Sequence, residues 1–145
     1  MSTRPARRRS WGSFPTTADM GIRASGATSE ELFEALGLGL FALMTDLRKV
    51  RPRSERTVSA SGSDPVGLAV AFLNALLVLQ QTEGFLVGEL HARPVGSPPT
   101  AILATAYGEP FDPARHSRRI EVKAVTMHQA SVDLARGRAR VIVDI

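Results

Sequence analysis

Few side chains in this sequence can do chemistry, and they are scattered. Cysteine is absent, so disulfides, thiolate metal sites and a cysteine nucleophile are excluded. The three histidines, His91, His116 and His128, share no metal-ligand spacing. Neither a phosphate loop, a dinucleotide fingerprint, a His-Glu-x-x-His helix nor a Gly-x-Ser-x-Gly elbow is present. Three charged residues stand out by context. Asp19 lies in Thr16-Thr17-Ala18-Asp19-Met20-Gly21, just ahead of the first well-marked strand. Asp144 interrupts the apolar run Val141-Ile142-Val143-Asp144-Ile145, and Lys123 sits in Ile120-Glu121-Val122-Lys123-Ala124-Val125. Carboxylates flanked by backbone carbonyls suit a hard, oxygen-loving cation such as calcium or magnesium. Taken singly, an Asp at a strand end is ordinarily a turn or cap partner, and a strand lysine a solvated side chain.

The elements that would position these residues read as one α+β domain: two helices packed on mainly antiparallel or mixed strands. The alternation Ile22-Arg23-Ala24-Ser25, closed by Gly26, predicts a strand. Thr28 followed by Glu31 has capping-box spacing, and Leu32, Phe33, Leu36, Leu40, Leu43 and Met44 follow at helical spacing to near Asp46. Gly37 and Gly39 inside that helix imply close packing against another backbone. After a basic connection over 48–56, Thr57–Ser61 predicts a second strand, and Asp64-Pro65 starts a second helix, apolar nearly all round and therefore deeply buried. The two strand–Gly–helix units repeat at an offset of 36 residues: Ala24-Ser25-Gly26 aligns with Ala60-Ser61-Gly62, and Leu32 with Leu68. Downstream, residues 85–90, 100–107, 120–126, 132–134 and 139–145 read as strands, with turns over 92–99 and 108–113.

Composition narrows the class further. With 43% hydrophobic and 22% charged residues, the chain can hold a core without staples. Its net charge of +4 equals the contribution of Arg4, Arg7, Arg8 and Arg9. Residues 1–13 therefore read as a flexible basic leader, and 14–145 as the domain. Such a leader attracts RNA or anionic surfaces, or simply solubilises. The Arg7-Arg8-Arg9 run lacks the apolar region that an export signal needs, and no apolar stretch reaches the ~18 residues of a membrane span. A cytoplasmic protein is expected.

The residues also match a known family. Thr17-Ala18-Asp19-Met20-Gly21-Ile22, Glu30–Ala35, Leu43-Met44-Thr45-Asp46, Leu73-Asn74-Ala75-Leu76-Leu77, Thr82-Glu83-Gly84-Phe85, Gly108-Glu109-Pro110-Phe111-Asp112, Glu121–Thr126 and Val141–Ile145 occur in the order found in archeases. Over residues 14–145 the sequence resembles that family, small activators of the RtcB-type RNA ligase of tRNA splicing and RNA repair. The resemblance implies a non-enzyme that promotes guanylylation of the ligase histidine and multiple turnover. It implies a metal-binding tip at Asp19 and Asp144, with oxygens of Ile145, holding a divalent ion, calcium before magnesium. Lys123 matches a functionally important family lysine. The ligase would be the partner, with RNA reached through it. Two positions depart from the family: Thr16 stands where it usually has histidine, and Met127 where it has tyrosine. A metal-dependent hydrolase using Asp19 and Asp144, and an RNA-binding, chaperone-like adaptor using the leader, are the alternatives. A carboxy-terminal tag is expected to weaken metal binding or activation.

Overall fold

A computed structural model describes residues 10–16 and 19–145. Seven strands and two α-helices run in the order β1 (Trp11–Pro15), β2 (Met20–Ser25), α1 (Ser29–Met44), β3 (Ser54–Ser61), α2 (Pro65–Glu83), β4 (Phe85–Gly96), β5 (Pro99–Pro110), β6 (Ala124–Asp133), β7 (Arg138–Asp144). All strand pairings are antiparallel, in two sheets ordered β1-β2-β7-β6 and β3-β5-β4. The α+β expectation holds, without parallel pairs among the described residues. Each sheet joins the strand of one β–α unit to the second strand of a later hairpin: β2 to β7, and β3 to β5. The helices fill the space between, α1 against β2 and β4, α2 against β3 and β6.

The 36-residue repeat is visible in the turns. Thr28 caps α1 by accepting from the Glu31 amide, and Asp64 caps α2 by accepting from the Gly67 amide. Thr28 and Asp64 are themselves offset by 36. A Cβ on Gly26 would strike the amide of Leu32, and one on Gly62 that of Leu68. In both units the strand therefore turns directly over the first helical turn, a close approach only glycine permits.

The helices bury what their spacing predicts. Leu32, Phe33, Leu36, Leu40 and Phe41 of α1 meet Leu68, Phe72, Leu73 and Leu76 of α2 in one core, with Phe33 and Phe72 edge to face. Gly37 and Gly39 do accept close neighbours, but side chains and not backbone: Leu90 and Leu76 over Gly37, Ile22 and Trp11 over Gly39. By length and composition α2 could cross a membrane; it is less buried than its all-round apolar sequence predicts, with Leu68–Val70, Phe72, Leu73, Leu76 and Leu77 in the core and the remainder partly or fully exposed, Val78 included, because only one side meets the rest of the fold.

Strand ends differ from the sequence reading. β1 begins at Trp11, inside the stretch read as leader, because Trp11 packs inward on Gly39. β4 and β5 extend through much of the Pro/Gly-rich stretch and turn only at Ser97–Pro98, a cis peptide. Gly108–Pro110, read as loop, is the last part of β5 paired with Phe85–Val87. Residues 120–123, read as strand, are not in a sheet. The Arg119 and Ile120 amides cap α1 instead, donating to the carbonyls of Met44 and Leu43. β6 and the predicted strand at 132–134 are one strand with a bulge between Thr126 and Ser131, where Gln129 adopts φ 53°.

Candidate functional site

β2 and β7 pair with Met20 opposite Val143. Continuing that register by one residue sets Asp19 beside Asp144. On the other side of β7, Ala124 pairs with Asp144, and the Lys123 amide donates to the Asp144 carbonyl at 2.8 Å. Three distant stretches of sequence thus converge at one end of the four-stranded sheet, which brings together Asp19, Lys123, Asp144 and Ile145. Asp19 is half-buried, and the other three are exposed.

Each is held by its backbone. The Asp19 amide donates to Thr16 Oγ1 (3.1 Å), and the Thr16 amide donates to the Asp19 carbonyl (3.0 Å). Thr16, which replaces the family histidine, thereby closes the β1–β2 turn. Thr17 and Ala18 of the same motif lie outside the described residues.

Lys123 is fixed from α2. Asn74 Nδ2 donates to the Val125 carbonyl (2.9 Å) and its Oδ1 accepts from the Val125 amide (3.0 Å). One amide side chain thus substitutes for a neighbouring strand at the start of β6. Seven residues on, Gln81 Nε2 donates to the Lys123 carbonyl (3.2 Å). The sequence analysis carried Asn74 only inside the archease-like string Leu73-Asn74-Ala75-Leu76-Leu77, with no role of its own. A carboxamide flanked by Leu73 and Ala75 on a core helix was the signal available.

A buried polar cluster holds the loop that leads to Lys123. Glu109 is nearly inaccessible. It accepts from Arg115 through Nη1 and Nη2 (2.9 and 2.8 Å), from the Arg51 amide (2.8 Å) and from His116 Nε2 (3.0 Å). The Asp112 amide donates to His116 Nδ1 (2.8 Å), so the proton of this imidazole lies on Nε2 and is given to Glu109. The Arg115 guanidinium, foremost, holds the Glu109 carboxyl well below the usual carboxylate range, against the opposing effect of desolvation. Sequence reading listed His116 without this role, because its partners converge only in the fold.

The tip offers oxygen donors only: two carboxylates and the backbone oxygen of Ile145. Among the described residues no three His, Asp or Glu side chains stand together as a metal cage. The set fits a hard cation that keeps much of its water or shares ligands with a second molecule. Beside Lys123 runs an open groove of about 930 Å³ between Gln81 on α2 and Phe111, across which the Arg118 guanidinium lies 4.1 Å from the Phe111 ring centre.

This architecture defines a small α+β protein that gathers two carboxylates and a lysine at a sheet end. Residues 11–145 match the model of the Archease protein family (MTH1598/TM1083). The chain is 38% identical over 141 residues to the protein archease of Pyrococcus furiosus, covering 94% of this chain and 99% of that one. It is 41% identical over 126 residues to that of Thermococcus gammatolerans, covering 86% and 89%. Its fold matches the solution structure of Methanobacterium thermoautotrophicum protein 1598 with a TM-score of 0.80 and 35% identity, over 95% of this chain and all of that one. The chain belongs to the archease family.

Proposed function

We propose that this chain is a non-catalytic activator of an RtcB-type RNA ligase, acting in the cytoplasm in tRNA splicing or RNA repair. It promotes formation of the ligase's histidine–guanylate from GTP and supports repeated turnover. The observation that carries this reading is the strand register, which sets Asp19 and Asp144 side by side with Lys123 next to them, in a chain of archease family. An exposed sheet end is shaped to enter another protein's cleft.

In this reading Asp19 and Asp144, with oxygens of Ile145, hold a divalent cation, calcium in preference to magnesium. When bound, the ion supplies positive charge for nucleotide phosphates. The chain's own residues place the charges: Thr16 fixes the Asp19 backbone, Gln81 and Asn74 fix Lys123, and the Lys123 ammonium is free to meet an anionic group of the ligase–nucleotide complex. Thr16 and Met127 remove two aromatic or imidazole groups from the usual tip, so affinity for metal or ligase is expected to differ from that of relatives carrying them.

Guanylylation of the ligase with GTP, with and without this protein, tests the reading. Wild type is expected to raise the rate, while Asp19→Ala, Asp144→Ala and Lys123→Ala, each folded by circular dichroism, lose most of that effect. Equal stimulation by all variants would overturn the site. GTP or phosphoester turnover by this protein alone would replace the activator by a metal-dependent hydrolase.

A further inference from the structure

Side chains alternate across β2 and β7. Ile22 and Ala24, with Ala139, Val141 and Val143, enter the core. The opposite face, turned away from both helices, presents Arg23, Arg138 and Arg140, all exposed. Arg23 pairs directly with Arg140, and Ser25 with Arg138. Like charges directly opposite one another disfavour strand pairing. Among the described residues none of the three arginines has a carboxylate within ion-pair distance. Asp133 stands directly opposite Arg138 across β6 and β7, but its carboxylate lies 3.8 Å from Arg136 Nε and forms no ion pair with Arg138.

The arginines are held in place. Phe14 on β1 lies flat on Gly21, where any Cβ would collide with its ring. Ile142, opposite Gly21, is buried on this outer face beside it and stands apart from the main core. The Arg140 guanidinium sits 5.0 Å from the Phe14 ring centre and that of Arg23 5.8 Å. The aromatic ring thus orders two cations that have no carboxylate partner among the described residues. Two further facts extend the pattern. The Ser10 carbonyl accepts from the Ser25 amide (2.8 Å), so the first described residue lies at the basic end of the face. Asp144 shares the face with Arg140, four residues or about 13 Å along β7.

We infer that this outer face is a binding track for the phosphate backbone of single-stranded RNA. The cross-strand pair Arg23–Arg140 and Arg138 take the phosphates. Planar guanidiniums ordered on an aromatic ring match phosphate geometry, and a row of them matches a polyanion better than a single small anion. The carboxylates at the far end repel phosphates, which fixes where the strand stops: its length lies along β2 and β7 with one end directed at Asp19 and Asp144. The inference concerns a surface separate from the tip and does not rest on the ligase reading.

Fluorescence anisotropy with labelled oligouridine over a range of salt tests it without ligase, GTP or added metal. The Arg23→Ala/Arg140→Ala double variant is expected to bind at least about tenfold more weakly, with the salt slope reduced by about 1.4, since each lost single-strand phosphate contact is worth about 0.7. Arg138→Ala, which leaves the Phe14 contacts alone, is expected to weaken binding in the same direction. Arg53→Ala removes the same single charge as Arg138→Ala, from just ahead of β3 in the other sheet, and is expected to change affinity less than about twofold. Equal weakening by Arg53→Ala would reduce the effect to net charge and overturn the track. Unchanged binding by the double variant, with all affinity lost on deleting residues 1–9, would assign RNA to the leader and overturn it as well. Phosphatidylserine vesicles bound as tightly as RNA, with the same dependence on Arg23 and Arg140, would replace RNA by a membrane surface.

Discussion

Asn74 shows how much a single side chain can carry. Both of its amide atoms are used on Val125, so Asn74→Ala strands a backbone donor and an acceptor at the start of β6. The expected cost is about 1–3 kcal/mol, read from urea unfolding, and, under the proposed function, reduced ligase stimulation because Lys123 loses its anchor. Glu109 sets the acid limit. Its carboxyl ionises well below the unfolded value of 4.5, so the folded state is favoured wherever the carboxylate is charged in both states. That contribution is complete above about pH 4.5 and disappears as pH falls toward the folded value. Stability measured between neutral and acid pH should therefore fall below about pH 4.5. Glu109→Gln should flatten that decline while costing roughly 1.5–3 kcal/mol at neutral pH, because Arg115 and His116 lose a charged acceptor. Asp46, held down at about 2 by Arg48, pairs with a guanidinium that is itself exposed to water, and so adds little to the effect. The three tip residues behave oppositely. They bond through their backbones and expose or half-expose their side chains, so Asp144→Ala and Lys123→Ala should change stability by less than about 0.5 kcal/mol in the same unfolding experiment.

At the scale of elements, the β–Gly–α units were legible in the sequence because turn glycine, cap and apolar stripe are local signals that agree with one another. The strands of the last third were legible as strands but not in their limits. β4 and β5 run through prolines and glycines because hairpin pairing over their whole length outweighs local turn preference. Gly108, read as loop, is a case in point: a Cβ there would collide with the Leu86 carbonyl across the hairpin. Gly108→Ala is expected to destabilise by about 3 kcal/mol or more, visible as a marked drop in melting temperature, since backbone and not a flexible side chain must move. The candidate site was partly legible. Asp19, Lys123 and Asp144 could be marked by context and resemblance. Their meeting depends on register between strands at opposite ends of the chain, which no local pattern encodes. Asn74, Gln81 and the Glu109 cluster escaped for the same reason.

The molecule as a whole is built around its final strand. β7 lies between β2 and β6, although it is the last strand in sequence, and Met20 pairs with Val143 across nearly the full length of the chain. The sheet β3-β5-β4 draws only on residues in the middle, so its contacts close shorter loops. Contacts of such different sequence separation form on different timescales. On a ribosome, the middle sheet and α2 can be emerging and packing while β2 still lacks its neighbour. The pairing that sets Asp19 beside Asp144 is then the closing event. A chain stalled or clipped before Arg138 would carry Asp19 and Lys123 but never present them together. The acidic tip thus assembles only after β7 has emerged and paired with β2, long after the rest of the fold can pack.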